Sequence, residues 1–180
     1  MNTMIEIQAT RKLQAWNRIK NLYESAFPKA EQLPIFVLTY LAKNRRLNLS
    51  AFYDDNLFVG LCFYEVYNDM IFVMFLAIDD KMRSIGYGSK ILTALKEKYP
   101  NATISLSIEP VIEECDNFLQ RKKRLAFYER NGYYRTTLQI KCGRDFYWIL
   151  STDPNLDKEK FRQTLKSLSV LYNPKLFAIV

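Results

Sequence analysis

Two glycines, Gly86 and Gly88 in the stretch RSIGYGSK, stand between a continuously apolar run, Met70 to Ile78, and a segment, Tyr87 to Tyr99, whose apolar residues recur at helical spacing. The chain has only five glycines, and the location of this pair at a strand-to-helix corner gives the motif its weight. Glycine lacks the Cβ that keeps a ligand off the backbone, and a helix N-terminus presents unpaired N–H groups at the positive end of its dipole. Together they suit a pyrophosphate. A dinucleotide fingerprint GxGxxG would need glycine where Ile91 stands, and a Walker loop would need Lys directly after Gly88, where Ser89 stands. A tight corner without a ligand is the other reading of the same residues.

The inventory of residue types narrows the chemistry further. None of the 180 residues is histidine, which excludes a Ser/His/Asp triad, a Cys/His pair, an imidazole base and any zinc site that uses His. Proton transfer near neutral pH must therefore use Glu, Asp, Tyr, Cys, Lys, backbone or water. Cys62, Cys115 and Cys142 form neither a CxxC pair nor an even disulfide framework, as expected of reduced thiols in a cytoplasmic protein. The N-terminus MNTMIEIQATRK lacks an apolar signal core, and no run approaches the roughly 20 apolar residues that span a bilayer, so no membrane association is expected. The net charge is +7, of which +6 falls in residues 81 to 145, a distribution that favours either a polyanion or a phosphate-rich small ligand.

The elements that must position these residues follow from periodicity and turn signals. Met4 to Gln8 reads as a strand, Arg11 to Ala26 as a helix, and Pro34 as the opening residue of a second helix through Leu41. Leu49 to Tyr53 and Leu57 to Val66 flank the turn residues Asp54, Asp55 and Asn56, and Met70 to Ile78 suits a strand covered on both faces. A helix from Tyr87 to Tyr99 and a strand from Thr103 to Ile108 come next. Cys115 to Asn131 reads as a helix stopped by Gly132, followed by a hairpin of Tyr133 to Ile140 and Asp145 to Leu150. A last amphipathic helix is expected over Asp157 to Tyr172, through Phe161, Leu165, Leu168 and Leu171. No linker or repeat divides the chain, so a single domain over residues 1–180 is expected, with 155–180 as a helical appendage.

The stretch FLAIDDKMRSIGYGSKIL resembles the acetyl-CoA pyrophosphate motif [RQ]xxGx[GA] of the GNAT N-acetyltransferase superfamily, with Arg83, Gly86 and Gly88 in its three defining places. RLAFYERNGY is similar to that superfamily's second cofactor motif, with Phe127, Tyr128, Gly132 and Tyr133 in position. The order of elements over residues 1 to 150 is also similar. The resemblance implies an α/β (α+β) fold: a mixed, mostly antiparallel twisted sheet flanked by helices and splayed between Met70 to Ile78 and Thr103 to Ile108, with an extra C-terminal helix.

It further implies acetyl-CoA as co-substrate, no metal, a small-molecule or peptide amine as acceptor and, at family level, a homodimer. Backbone groups of Leu76, Ala77 and Ile78 would pair with the pantetheine. The main chain of Arg83, Ser84, Ile85, Gly86, Tyr87, Gly88 and Ser89 would hold the pyrophosphate, with Arg124 and Phe127 as further cofactor contacts. Tyr128 would be the general acid for the departing thiolate, since a phenol stays protonated at neutral pH. A backbone N–H near Ile78 would meet the oxyanion. Glu109, through water, is the first choice for the base and Glu65 the second. One departure from the family pattern is Arg121, which stands where many members carry an Asn that contacts pantetheine.

The family-level reading is thus acetyl transfer from acetyl-CoA to a primary amine by direct attack in a ternary complex. Two alternatives stay open at this point: acetylation of a nucleic-acid-linked amine such as aminoacyl-tRNA, and a non-catalytic acyl-CoA-binding regulator. Coenzyme A itself accounts for the basic window, and no RNA-binding motif accompanies it, so nucleic acid is not the expected partner.

Overall fold

Among the described residues, apolar residues alternate or run together in eight segments that pair into one mixed sheet, with five α-helices completing the α/β fold. The computed structural model describes residues 4–29, 31–44, 47–167 and 177–180. Strand order is β1-β2-β3-β4-β5-β7-β6-β8. The strands are β1 (Met4–Gln8), β2 (Asn48–Asp54), β3 (Leu57–Tyr67), β4 (Met70–Ile78), β5 (Thr103–Ile108), β6 (Tyr134–Cys142), β7 (Asp145–Ser151) and β8 (Phe177–Ile179). The helices are α1 (Trp16–Ala26), α2 (Ile35–Lys43), α3 (Tyr87–Lys98), α4 (Phe118–Arg130) and α5 (Lys158–Ser167). The chain divides into two compact units, Met1–Glu65 with Met74–Pro100, and Val66–Val73 with Asn101–Val180; two of the three divisions fall inside β3 and β4 and the third between α3 and β5.

In the first unit β1 pairs antiparallel with β2, and β2 with β3 across a tight turn in which Asp55 is left-handed (φ 53°). α1 buries Ile19, Leu22 and Tyr23 and α3 buries Ile91, Leu92 and Leu95, as helical periodicity assigns them, whereas α2 buries Leu38 and Leu41 and leaves Phe36 and Tyr40, which its apolar pattern would place inside, exposed. Tyr23 meets Phe75 edge-on with ring centroids 4.9 Å apart, and its hydroxyl accepts from Leu33 N at 2.8 Å. Burial pushes this phenol's pKa up to about 12. Gly60 on β3 has a positional reason: a Cβ there would lie 2.5 Å from the carbonyl oxygen of Ala77 on β4.

A polar network ties β1 to the far end of α3. Glu6 Oε1 accepts from Ser50 Oγ (2.6 Å) and Tyr64 OH (2.8 Å), while Lys98 Nζ lies 2.8 Å from Glu6 Oε2. Burial acts to raise the Glu6 pKa, but the hydrogen bonds from Lys98, Ser50 and Tyr64 and the Lys98 charge outweigh it and hold the carboxyl below its usual 4.5.

In the second unit Met70–Val73 of β4 pairs parallel with Thr103–Leu106 of β5. β5 pairs antiparallel with β7, β7 with β6, and β6 with β8. α5 buries Phe161, Thr164 and Leu165, and the Phe161 ring meets Phe72 at 5.7 Å.

The structure departs from periodicity in instructive places. α1 begins at Trp16 rather than Arg11, because burial starts only at Ile19 and the preceding residues form i→i+3 turns (Leu13 N to Thr10 O, Trp16 N to Leu13 O, both 2.9 Å). α4 begins at Phe118, after a turn in which Phe118 N donates to Cys115 O at 3.0 Å. The last helix starts at Lys158, one residue later than expected, with Asp157 accepting from Lys160 N at 2.8 Å, whereas Leu168 and Leu171 lie outside the described residues. β8 carries no readable signal, since three residues are too few to show alternation.

Two outcomes follow for stability. Gly60→Ala should cost about 1–3 kcal/mol in denaturant unfolding, as overpacking against rigid backbone does; a variant as stable as the parent would show that β3 and β4 can separate freely here. Because the Glu6 carboxyl is depressed in the folded state, its contribution is present above the usual carboxylate pKa and lost as pH falls through the folded value. Denaturation midpoints measured from neutrality into acid should therefore decline less steeply in Glu6→Gln than in the parent, and parallel curves would count against the network.

Candidate active site

The corner between β4 and α3 is built from backbone. Asp79 N donates to Val59 O at 3.0 Å, which holds the end of β4 against β3. The Asp79 side chain caps the short 3₁₀ turn Asp80–Met82 by accepting from Lys81 N (3.3 Å), and it pairs with Arg18 Nε at 2.9 Å. Burial acts to raise the Asp79 pKa, but Arg18 and the Lys81 amide outweigh it, so the carboxyl sits below its usual value. Arg83 spans the loop along its exposed side, with Nε 3.2 Å from Ile78 O and Nη2 2.7 Å from Asp80 Oδ1. The chain then passes through two left-handed residues, Ser84 (φ 65°) and Gly86 (φ 92°), and enters α3 at Tyr87.

Gly86 is needed for its φ alone, since a Cβ there would meet nothing within 4 Å. It caps α3 without a side-chain hydrogen bond, the first turn carries no acidic residue, and Lys96 and Lys98 occupy the last turn. The N–H groups of Tyr87, Gly88 and Ser89 are those that a helix leaves without an intrahelical partner. With basic residues complementing its C-terminal end, α3 presents an N-terminus suited to an anion. Arg83, Ser84, Ile85 and Gly86 are exposed, while Tyr87, Gly88 and Ser89 are half-buried.

The approach to this corner is apolar. β4 is fully buried from Met70 to Val73 and then alternates, with Phe75 and Ala77 buried and Met74, Leu76 and Ile78 half-buried. The expectation of cover on both faces thus holds for the first half of the strand. Tyr87 donates its hydroxyl to Asp54 Oδ2 at 2.6 Å, and this hydrogen bond leads the influences that raise its pKa. Lys90 Nζ lies 3.9 Å from the same oxygen and 4.8 Å from the centre of the Tyr87 ring. Asp54 was not singled out from the sequence; a turn residue 33 positions upstream gives no local sign of such a contact.

The second unit holds Glu109, Arg121, Arg124, Phe127 and Tyr128. Glu109, at the end of β5, places Oε1 2.9 Å from Arg121 Nη2 and Oε2 2.8 Å from Arg124 Nη1. Arg121 also donates from Nη1 to Pro110 O at 2.9 Å. Helical geometry sorts the basic run, since Arg121 and Arg124 lie one turn apart beside Glu109 while Lys122 and Lys123 are exposed. Arg124 is therefore an ion-pair partner of Glu109, a contact that spacing alone did not suggest. Tyr128 is buried, its ring 5.1 Å from Phe127 and 5.8 Å from Tyr133, both edge-on. Its carbonyl accepts from Asn131 N and Tyr133 N, closing α4 through the left-handed Gly132 (φ 75°). The NGY end of the motif, Asn131 to Tyr133, is thus a helix stop that fixes the Phe127–Tyr128–Tyr133 aromatic group.

Comparison with known proteins bears on the family and the fold. The profile of the acetyltransferase (GNAT) family matches residues 16–133. No curated protein matches the chain. Among solved structures, a GNAT-family protein from Bacteroides thetaiotaomicron is 24% identical with a TM-score of 0.75, over 94% of this chain and 99% of that one. The ribosomal-protein-S18-alanine N-acetyltransferase of Escherichia coli is 16% identical with a TM-score of 0.58, over 88% of this chain and 97% of that one. An aminoglycoside 6′-N-acetyltransferase complexed with coenzyme A is 14% identical with a TM-score of 0.61, over 85% of this chain and 99% of that one. These likenesses are of fold; the profile, which spans well over half of the chain and both glycine motifs, carries the assignment, and the chain belongs to the acetyltransferase (GNAT) family.

Proposed function

We propose that this protein is a cytoplasmic N-acetyltransferase that moves an acetyl group from acetyl-CoA to the primary amine of a small molecule or peptide by direct attack. The observation that carries this reading is the α3 corner: a left-handed Gly86, an N-terminus without a side-chain cap, and no acidic residue in the first turn. Membership of the acetyltransferase family and the coenzyme A complex of a structural relative give the anion its identity.

Acetyl-CoA, when bound, supplies a thioester carbonyl carbon for the amine to attack. The main-chain N–H groups from Arg83 to Ser89 hold the pyrophosphate, and the backbone of Leu76, Ala77 and Ile78 pairs with the pantetheine. The half-buried row of Met74, Leu76 and Ile78 supports an apolar path for that arm. An N–H near Ile78 donates to the carbonyl oxygen as negative charge develops there. As the new C–N bond forms and the C–S bond breaks, Tyr128 gives its hydroxyl proton to the leaving sulfur. The packing of Tyr128 between Phe127 and Tyr133 supports this role by restricting its ring, and Phe127 and Arg124 complete the cofactor side.

Glu109 takes the amine's proton. Both of its oxygens already accept from guanidinium groups, so the proton reaches a remaining lone pair through water rather than by direct contact. Glu65, which is buried, is the second choice.

Calorimetric titration with acetyl-CoA, followed by thiol release across a panel of amines, tests the whole reading. Absence of acetyl-CoA binding would overturn it, and binding without thiol release would make the protein a regulator. Tyr128→Phe should lower kcat by about 100-fold or more while leaving acetyl-CoA affinity within about twofold; parent-like turnover would remove Tyr128 from the mechanism. Glu109→Gln should lower both turnover, by about tenfold, and stability, by about 1–2 kcal/mol, because two guanidinium groups lose their charged partner. Unchanged turnover would exclude Glu109 as the base, and an unchanged unfolding midpoint would exclude the paired arrangement.

A further inference from the structure

Tyr87 occupies an unusual position in the chain. It is the first residue of α3, with Gly86 before it and Gly88 after it, so its side chain alone can restrain a stretch of backbone that two glycines leave pliable. Its hydroxyl reaches Asp54 Oδ2 at 2.6 Å. Asp54 is the last residue of β2, paired with Leu57 across the two-residue turn, and its side chain is only 16% exposed. The carboxylate is therefore held on a hairpin rather than on a mobile surface chain. Its second oxygen, Oδ1, is buried with no hydrogen-bond partner among the described residues.

Charge alone does not explain this arrangement. A carboxylate beside a corner that receives an anion works against binding by Coulomb repulsion, and it also draws on Lys90, whose ammonium lies 3.9 Å away. What the carboxylate provides is a strong, directional acceptor for the phenol. We propose that Asp54 and Tyr87 form a latch that fixes the first turn of α3 in the orientation that binds pyrophosphate, making Asp54 a positioning residue for coenzyme A. The inference rests on the acetyl-CoA reading above. Asp54 acts through Tyr87, and the binding contacts remain those of the main chain.

Calorimetric titration with coenzyme A separates the possibilities, with stoichiometry and melting curves monitored for every variant. Tyr87→Phe and Asp54→Ala should each weaken binding roughly three- to tenfold at unchanged stoichiometry. The double variant should be no weaker than either single one, the signature of two residues acting through one contact. Asp54→Asn keeps an oxygen acceptor and loses the charge, so it should bind as tightly as the parent or tighter. Parent-like affinity in Tyr87→Phe would overturn the latch and leave the acetyl-CoA reading standing. Equal tightening in Asp54→Ala and Asp54→Asn would reduce Asp54 to a nearby charge and overturn it as well. Failure of the parent itself to bind coenzyme A would overturn the underlying reading and the latch's role with it.

Discussion

Every functional assignment in the first unit depends on how the chain turns from β4 into α3. An L residue resists the left-handed region, and here two positions, Ser84 and Gly86, adopt it within three residues. Such a turn persists only where its surroundings determine it. Those surroundings are identifiable: Asp79 N–H on Val59 O, Asp79 capping the 3₁₀ turn while holding Arg18, and Arg83 spanning from Ile78 O to Asp80. The result is that three consecutive amide groups emerge at the end of an apolar strand, pointing out of a helix whose other end is basic. No titrating side chain is needed to create that anion site, which suits a chain without histidine.

The basic character of the chain looks different once partners are assigned. Arg18, Arg83, Lys90, Lys98, Arg121 and Arg124 all lie within 4 Å of a carboxylate oxygen. Exposed pairs of this kind contribute little stability on average. Their positions differ in use: Arg18 and Arg83 hold the β4–α3 corner, Arg121 and Arg124 hold Glu109, and Lys90 and Lys98 pair from α3 with Asp54 and Glu6. A one-to-one pair sums to zero, so the net +7 rests on the basic side chains left over, exposed lysines such as Lys122 and Lys123 on α4 among them. A charge count cannot separate those two populations, since it does not know which acidic residue lies across from which basic one.

The parts legible in the sequence were those with local causes. β1, β4 and β5 matched the reading residue for residue, because strand alternation and apolar runs are bounded by turn residues in the chain itself. The α3 corner was legible because Gly86 must be glycine for its φ, and the α4 stop because Gly132 is left-handed. Contacts between distant positions were not legible. Glu109 was readable as a carboxylate at a strand end, yet its pairing with two arginines depends on the angle at which α4 follows β5. Asp54 was readable only as a turn former, while its contact with Tyr87 depends on where the β2–β3 hairpin lies against α3. Gly60 gave no signal either, since its need is the Ala77 carbonyl 17 positions away.

The two polar clusters of the first unit make more sense together than apart. Tyr87, at the start of α3, is held by Asp54 at one end of β2, and Lys98, at the end of α3, is held by Glu6, which also accepts from Ser50 farther back along β2. Eleven residues of helix rise about 16 Å, so the two fastenings lie at opposite ends of α3. A helix fastened only by its apolar face of Ile91, Leu92 and Leu95 could roll, because packing tolerates small rotations better than hydrogen bonds do. Two directional fastenings at opposite ends remove that freedom. Of the two, the Asp54–Tyr87 pair stands beside the first-turn amides, so the Glu6–Lys98 pair steadies the far end of the rod while the Asp54–Tyr87 pair holds the end that carries them.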